Sequence, residues 1–210
     1  MFHALGLRPT MSADTFRIPC TSASAKIRVM ELINPTITAE RIIEIKSSEG
    51  AIAADRERDR LKVAMFDRHQ RGNKIAFGFL SGFGAKVGAV GLTTNLDENA
   101  PMIVGSDDAD MAFCANALID AGGGMVIVDH GQVLERIDFP FGGIFSLEPW
   151  RTVGSGLRRI QARLKEMGSP FDKPIFALSF LPFVTLPALR MTARGLVNAK
   201  ERQIVSLFAD

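Results

Sequence analysis

The sequence predicts a mixed α/β (α+β) fold, with layered mixed β-sheets, two main helices and a β hairpin. Short apolar segments bounded by glycine and proline recur along the 210 residues, which is typical of strands. Two longer segments carry apolar residues at helical spacing, and a hairpin signal separates them. The resulting order of strands, helix, hairpin, helix and strands favours layered sheets over a regular βαβ series.

Residues 1–60 are interpreted as a linker with flanking β-strands. The stretch 8–24 is rich in Ser, Thr and Pro without a sustained period, and it predicts a surface linker. Residues 26–32 and 41–45 alternate as strands do, and the charge run at 55–60 is typical of a solvated loop or of the start of a helix.

Residues 61–210 are predicted to form the main α/β domain. The strands expected in its first half are 61–66, 75–80, 85–94 and 101–104. Capping oxygens at 106–108 then open a helix with an apolar stripe through Met111 and Leu118, and this helix stops at the glycines 122–124.

The second half of this domain begins with a hairpin. Two strands, 125–128 and 133–139, flank a turn at 129–132. A second helix is expected from near Ser146 to Gly168, with Pro149 in its first turn. The chain closes with the predicted strands 176–180, 189–192 and 204–208.

Composition and charge exclude several classes of partner. The 25 Lys and Arg residues against 23 Asp and Glu give a net charge of +2, which is too small for a nucleic-acid footprint. The most apolar stretch, 175–189, is shorter than the roughly 20 residues that span a bilayer, so no membrane segment is expected. Cys20 and Cys114 lie far apart, and Cys114 fits a buried free thiol, which favours a reducing, cytoplasmic setting.

No motif of the sequence predicts a bound cofactor or metal. Gly82, Gly84 and Gly88 have the wrong spacing for a dinucleotide fingerprint and precede strand-like sequence. The three histidines are His3, His69 and His130, and no HxH or HExxH pair is present. His69 could serve as a general base, although a hydrogen-bonded structural role is the commoner one.

Carboxylates near the central glycine-rich stretch are the remaining candidates for acid–base chemistry. They are Asp97, Glu98, Asp107, Asp108 and Asp110. Two of them are explained by the start of the helix, where the helix dipole favours negative charge. Of the remaining three, Asp97 is kept as the candidate catalytic residue.

An ordered set of motifs resembles the C-terminal domain of bacterial adenine deaminases, members of the amidohydrolase superfamily. The motifs are Arg68-His69, Ile75-x-x-Gly78-Phe79, Gly82-Phe83-Gly84, Gly88-Ala89, Val104-Gly105, Asp108-x-Asp110-Met111, Gly122-Gly123-Gly124, Leu178-Ser179-Phe180-Leu181 and Val205-Ser206-Leu207-Phe208. The resemblance covers most of the chain from about residue 16 onward.

The resemblance implies hydrolysis of adenine to hypoxanthine and ammonia in purine salvage. The catalytic metal, manganese or iron, would lie in a (β/α)8 barrel outside this chain, because such a barrel alone needs about 250 residues. The expected partner is that barrel, as a domain of the parent enzyme or a separate subunit. Without it the chain is expected to be inactive and to expose an apolar face, which leaves self-association open.

One loop departs from the family pattern. Where relatives carry a His-Asp-Ser-His-Asn run, residues 96–100 read Leu-Asp-Glu-Asn-Ala, so Asp97 is retained and both histidines are replaced. Two further interpretations stay open on this ground. One is a non-catalytic binding or regulatory module, and the other is part of a related amidohydrolase with another cyclic amide or purine-like substrate.

Overall fold

An eight-stranded mixed β-sheet forms the centre of the protein. The computed structural model describes residues 10–68 and 75–209. The strands in these residues are β1 Ile18–Pro19, β2 Ser24–Leu32, β3 Thr38–Lys46, β4 Ala51–Ile52, β5 Leu61–Phe66, β6 Ile75–Ser81, β7 Ala89–Leu92, β8 Met102–Gly105, β9 Gly124–Asp129, β10 Gln132–Asp138, β11 Leu189–Thr192, β12 Gly195–Asn198 and β13 Gln203–Val205. The α-helices are α1 Asp108–Ala121, α2 Trp150–Glu166 and α3 Pro174–Ser179, and a 3-10 turn at Ala13–Phe16 precedes β1.

The strand order in the large sheet is β10-β9-β7-β8-β5-β6-β2-β3. Adjacent strands in this sheet are antiparallel except β2 and β6, which pair in parallel. Smaller sheets are formed by β1 with β4 and by β11, β12 and β13. The predicted mixed α/β class is confirmed, and the strands of the described part of the chain do not close into a barrel. The large sheet contains two strands that precede residue 60, β2 and β3, and six that follow it. The division of the chain into two parts at residue 60 stays a prediction.

The sheet is covered on both faces, as its central strand β5 shows. All six residues of β5 are buried. Leu61, Val63 and Met65 join a core shared with α2 and α3, whereas Ala64 and Phe66 join a core shared with α1. A near-continuous apolar strand is what burial on two sides requires.

Helix α1 has the capping chemistry that the sequence predicts. The Asp107 side chain accepts a hydrogen bond from the Asp110 backbone N–H at 2.9 Å. Gly122 follows the helix in the left-handed conformation, with a φ of 73°, and ends it. The predicted hairpin is also confirmed, with His130 and Gly131 forming the two-residue turn between β9 and β10.

Two strand predictions are wrong. Residues 176–180 were expected as a strand, but they belong largely to α3, whose first residue is Pro174. Short apolar runs do not distinguish a strand from a buried helix, and proline at the first helical position was the missed signal. In the predicted strand 85–94, only β7 joins the sheet, because Lys86 N–H and Gly88 N–H bond to Met167 O and the Asp129 carboxylate.

The remaining differences between the predicted and the observed elements concern the start of α2 and a short strand. Helix α2 starts at Trp150 rather than near Ser146, with Pro149 in the cap position. The sequence did not predict β12, which pairs with both β11 and β13. No helix in the described residues is long and apolar enough to cross a membrane.

Candidate functional site

One end of the large sheet gathers the loops that carry the candidate residues. The ends of β5, β7 and β10 meet the starts of β8 and β9 there, because these neighbouring strands are antiparallel. The segments 67–68, 93–101 and 139–149 therefore emerge side by side. This end of the sheet is called the loop end below.

Arg68 joins two of these segments. Its guanidinium donates hydrogen bonds to the carbonyl oxygens of Asn99 at 2.7 Å, Gly142 at 2.6 Å and Thr93 at 2.9 Å. Partial burial lowers the pKa of Arg68 below its ordinary value. A planar guanidinium with several N–H donors suits three acceptors in different directions. Sequence reasoning noted Arg68 only as part of a motif and missed this anchoring role.

The loop from Thr94 to Asn99, called the Asp97 loop, has a defined backbone conformation. Asp97 and Asn99 have φ angles of 83° and 48°, in a region that Asp and Asn tolerate better than most residues. The loop is held by hydrogen bonds from Thr94 Oγ1 to Asn99 Oδ1 at 3.1 Å and from Leu96 N–H to Ser179 O at 3.0 Å. Asp97 is exposed at its tip.

A small cavity of about 280 Å³ lies on one side of Asp97. The charged residues that line it are Asp67, Arg68, Asp97, Glu98 and Arg194. The Glu98 carboxylate accepts a hydrogen bond from Ala193 N–H at 2.9 Å. Burial, with a further contribution from the charges of Asp97 and Asp67, raises the pKa of Glu98. Glu98 thus holds the turn after β11 against the Asp97 loop.

A larger groove of about 950 Å³ lies on the other side of Asp97. It runs between the Asp97 loop, α2 and α3. Its walls include the exposed apolar side chains of Leu96, Leu157 and Phe176. A concave and largely apolar surface with a few polar groups, among them the carboxylates of Asp97 and Asp172, is suited to an apolar or heteroaromatic group.

The five acidic candidates divide between opposite ends of the sheet. Asp97 and Glu98 lie at the loop end, whereas the other three lie near the start of α1. Asp107 caps that helix, and Asp108 forms an ion pair of 2.7 Å with the buried Lys62. Asp110 accepts hydrogen bonds from His130 N–H at 2.9 Å and Gly131 N–H at 2.7 Å. These three carboxylates are therefore structural.

Those of the other candidates that fall within the described residues lie away from Asp97. His130 is exposed in the hairpin turn at the far end of β9, and His3 and His69 lie outside the described residues. The amides of Gly82 and Gly84 donate to the Asp59 carboxylate at 2.6 and 3.0 Å. That glycine-rich turn binds a carboxylate of its own chain, which accounts for its composition. Burial raises the pKa of Asp59.

The described residues do not supply a metal site. Within ranges 10–68 and 75–209, no group of three or more His, Cys, Asp or Glu side chains is placed to hold a metal ion. Asp97 and Glu98 carry oxygen ligands, whereas divalent transition metals favour histidine as well. The one histidine in the described ranges, His130, lies at the opposite end of the sheet.

Comparison with known proteins connects this geometry to a family. A model of the adenine deaminase C-terminal domain matches residues 35–203. The chain belongs to this family. Among its relatives, an adenine deaminase of Clostridium botulinum (strain Langeland) is 34% identical over 210 residues, covering 99% of this chain and 35% of the relative. An adenine deaminase of Brucella melitensis is 35% identical over 198 residues, covering 94% of this chain and 34% of the relative.

The adenine deaminase C-terminal domain thus accounts for nearly all of this chain, and the resemblance found in the sequence is confirmed. The chain spans about a third of the length of the relatives it matches. The matched region contains β5, the Asp97 loop and the groove, so the loop end is part of the family's domain.

Proposed function

We propose that this chain provides the C-terminal portion of an adenine-deaminase-like hydrolase. The proposed reaction is adenine plus water to hypoxanthine plus ammonia, as a step of purine salvage. The observation that carries the proposal is the match of almost the whole chain to about one third of proteins named adenine deaminase. We infer from the two buried free thiols, Cys20 and Cys114, that the protein works in a reducing compartment, the cytoplasm.

In this proposal, the metal chemistry belongs to the remaining portion of the enzyme. The described carboxylates and thiols do not fit a metal ion. A manganese or iron ion held by a (β/α)8 barrel, within the same polypeptide or as a separate subunit, would supply the activated water. The chain on its own is then inactive.

Asp97 is the residue of this chain that we propose to meet the substrate. Its exposed position, with the groove on one side and the Glu98 cavity on the other, leaves the carboxylate accessible to a docked group. A carboxylate can accept hydrogen bonds from the amino and ring N–H groups of a purine, or take up a proton from water. Arg68 positions it indirectly, because it binds the carbonyls at both ends of the Asp97 loop.

The test compares ammonia release from adenine by three preparations, each with added manganese or iron. They are this chain alone, the N-terminal portion of a relative joined to this chain, and the same joined polypeptide with Asp97→Asn. We expect activity only in the second, and a loss of about 100-fold in kcat/KM in the third, which is the usual scale for an acid–base group. Asp120→Asn, at an exposed position of α1, is the matched control and should leave the activity unchanged.

Robust deamination by the chain alone would contradict the assignment of the metal to the remaining portion. A joined polypeptide that is equally active with Asp97→Asn would contradict the role of Asp97.

A non-catalytic binding or regulatory module is the second candidate. It is favoured by Leu96 and Asn99, which stand where the resemblance implies histidines, and by the exposed Leu96 side chain at the groove. In that case the joined polypeptide remains inactive with adenine. Assaying it against other purines and cyclic amides then separates a module from an amidohydrolase with a different substrate.

A further inference from the structure

The segment that follows β10, together with the first residue of α2, exposes four large apolar side chains. Phe141, Phe145, Leu147 and Trp150 are 65%, 61%, 80% and 74% exposed. Single apolar residues on a surface are normal, but a contiguous group of this size marks an interaction surface. Phenylalanine and tryptophan are also among the residues enriched in protein interfaces. The segment 141–150 is called the aromatic loop.

The aromatic loop is fixed by hydrogen bonds on the side that faces the protein. Phe141 and Phe145 pair through their backbones, in both directions at 3.2 Å. The Thr93 hydroxyl donates to Gly143 O at 2.6 Å, and Arg68 donates to Gly142 O. The exposed side chains are thus presented from an ordered backbone, which reduces the entropy lost when a partner binds.

Arg68 also makes the aromatic loop continuous with the Asp97 loop. The same guanidinium binds Gly142 O in the first loop and Asn99 O in the second. The exposed apolar group and the candidate catalytic carboxylate therefore belong to one surface at the loop end.

Residues 11–16 lie along α1, with residue 11 nearer to the loop end and residue 16 nearer to the start of the helix. Phe16 O accepts a hydrogen bond from Lys62, which also binds Asp108 at the start of α1. Met11 instead bonds through its backbone to Asn116. Because Asn116 is eight residues along α1, the chain traced back from Phe16 to Met11 moves about 12 Å toward the loop end. Residue 11 therefore lies nearer to the loop end than residue 16 does.

We propose that the aromatic loop and the Asp97 loop together dock the N-terminal portion of an adenine deaminase of the kind this chain matches. The proposal rests on the proposed function and adds the surface through which the two portions meet. The occupant is inferred from length, because about 65% of the length of the Clostridium botulinum relative lies outside the match, and from the position of Met11, which is nearer to the loop end than Phe16. It brings Asp97 to the interface without any change in this domain.

Thiol labelling tests the proposal. Leu147→Cys places a reactive group in the aromatic loop, and Ile42→Cys places one at an exposed position of the edge strand β3. Cys20 and Cys114 are buried and give little background. Maleimide labelling rates would be measured by peptide mass spectrometry in this chain alone and in the polypeptide that joins the N-terminal portion of a relative to it.

In the chain alone, both introduced thiols should label quickly. In the joined polypeptide, the thiol at position 147 should label at least about tenfold more slowly, since core interface positions exclude solvent, whereas position 42 should be unchanged. Equal labelling at position 147 in both proteins would overturn the proposal. Protection at position 147 that grows with the concentration of the chain alone would overturn it too, in favour of a second copy as the occupant.

A second measurement applies if the joined polypeptide does not fold. Rapid labelling of Cys20 and Cys114 would reveal that failure. The two portions are then co-expressed separately, with this chain carrying the affinity tag. Co-purification that is lost with Trp150→Glu and kept with Ile42→Glu supports the proposal. Failure to co-purify with the unmodified chain, or equal recovery with both variants, overturns it.

Deamination measured on the same joined polypeptide separates this inference from the proposed function. Activity with an accessible position 147 would mean that the function is right and the docking surface wrong. Protection at position 147 without adenine deamination would mean the reverse.

Discussion

The guanidinium of Arg68 is one of the contacts that hold the candidate site together, and it binds three carbonyl oxygens. Its three carbonyl partners come from two loops that are far apart in sequence. Buried polar groups left without a partner carry a desolvation cost, so the loops depend on this side chain. Asp97, by contrast, is exposed and has its position set by the backbone of its loop.

Arg68→Lys should lower the free energy of unfolding by about 1–3 kcal/mol, because one ammonium group cannot reproduce the planar fork and leaves carbonyls unpaired. Urea denaturation followed by circular dichroism measures the change. Arg58→Lys, at an exposed position paired with Asp55, is the control and should change stability by less than about 0.5 kcal/mol. Equal effects of the two substitutions would contradict the anchoring role.

Glu98 provides a pH-dependent prediction at the same scale. Its pKa in the folded state is raised above 4.5, so the folded protein binds more protons than the unfolded chain between 4.5 and the folded value. The free energy of unfolding therefore falls as the pH rises through this window. Glu98→Gln keeps an acceptor for Ala193 N–H and should remove this contribution, raising stability at pH 7 by less than about 1 kcal/mol at this half-exposed position.

The difference between Glu98→Gln and the unmodified chain should disappear below pH 4.5, where both side chains are neutral. Denaturant midpoints measured from pH 4 to pH 8 give this comparison. A stabilisation that is constant over the range would show that charge is not its cause.

At the scale of elements, close approach between β7, β8 and α1 depends on glycine. A β-carbon at Gly88 would overlap the carboxylate of Asp110, which accepts the two amides of the hairpin turn. By contrast, the nearest contact of a β-carbon at Gly154 in α2 is the mobile end of Arg158, at 3.7 Å. Two glycines with similar sequence surroundings thus have different structural roles.

Gly88→Ala should destabilise the protein by about 2 kcal/mol or more, since Asp110 must move and release its hydrogen bonds. Gly154→Ala should instead stabilise it by about 0.5–1 kcal/mol, because alanine is the better helix former. Thermal denaturation distinguishes the two by the sign of the shift in Tm. A neutral Gly88→Ala would mean that the Asp110 contacts are dispensable.

At the scale of the whole molecule, the sequence predicted the class of fold and most strands because alternation and capping are local signals. Strand 61–66 and helix α1 follow directly from such patterns. Helix α3 and the shortening of the predicted strand 85–94 to β7 were not predicted, since tertiary hydrogen bonds and burial decide them.

The candidate site was predictable only in part. Asp97 was selected from the carboxylates near the glycine-rich stretch and retained on the resemblance, but its separation from Asp107, Asp108 and Asp110 depends on the pairing of strands. The anchoring by Arg68 depends on contacts over 25 to 74 residues, which one sequence does not show.

The order of strands in the large sheet also decides how this domain can join another. Its two borders, β3 and β10, carry charged side chains, among them Glu40, Arg41 and Glu44 on β3 and Arg136 and Asp138 on β10. Charged borders oppose the addition of a further strand and protect a sheet from aggregation. The large sheet is thus protected against the addition of a further strand at β3 or β10. Association with another domain is instead expected through side chains at the ends of the strands.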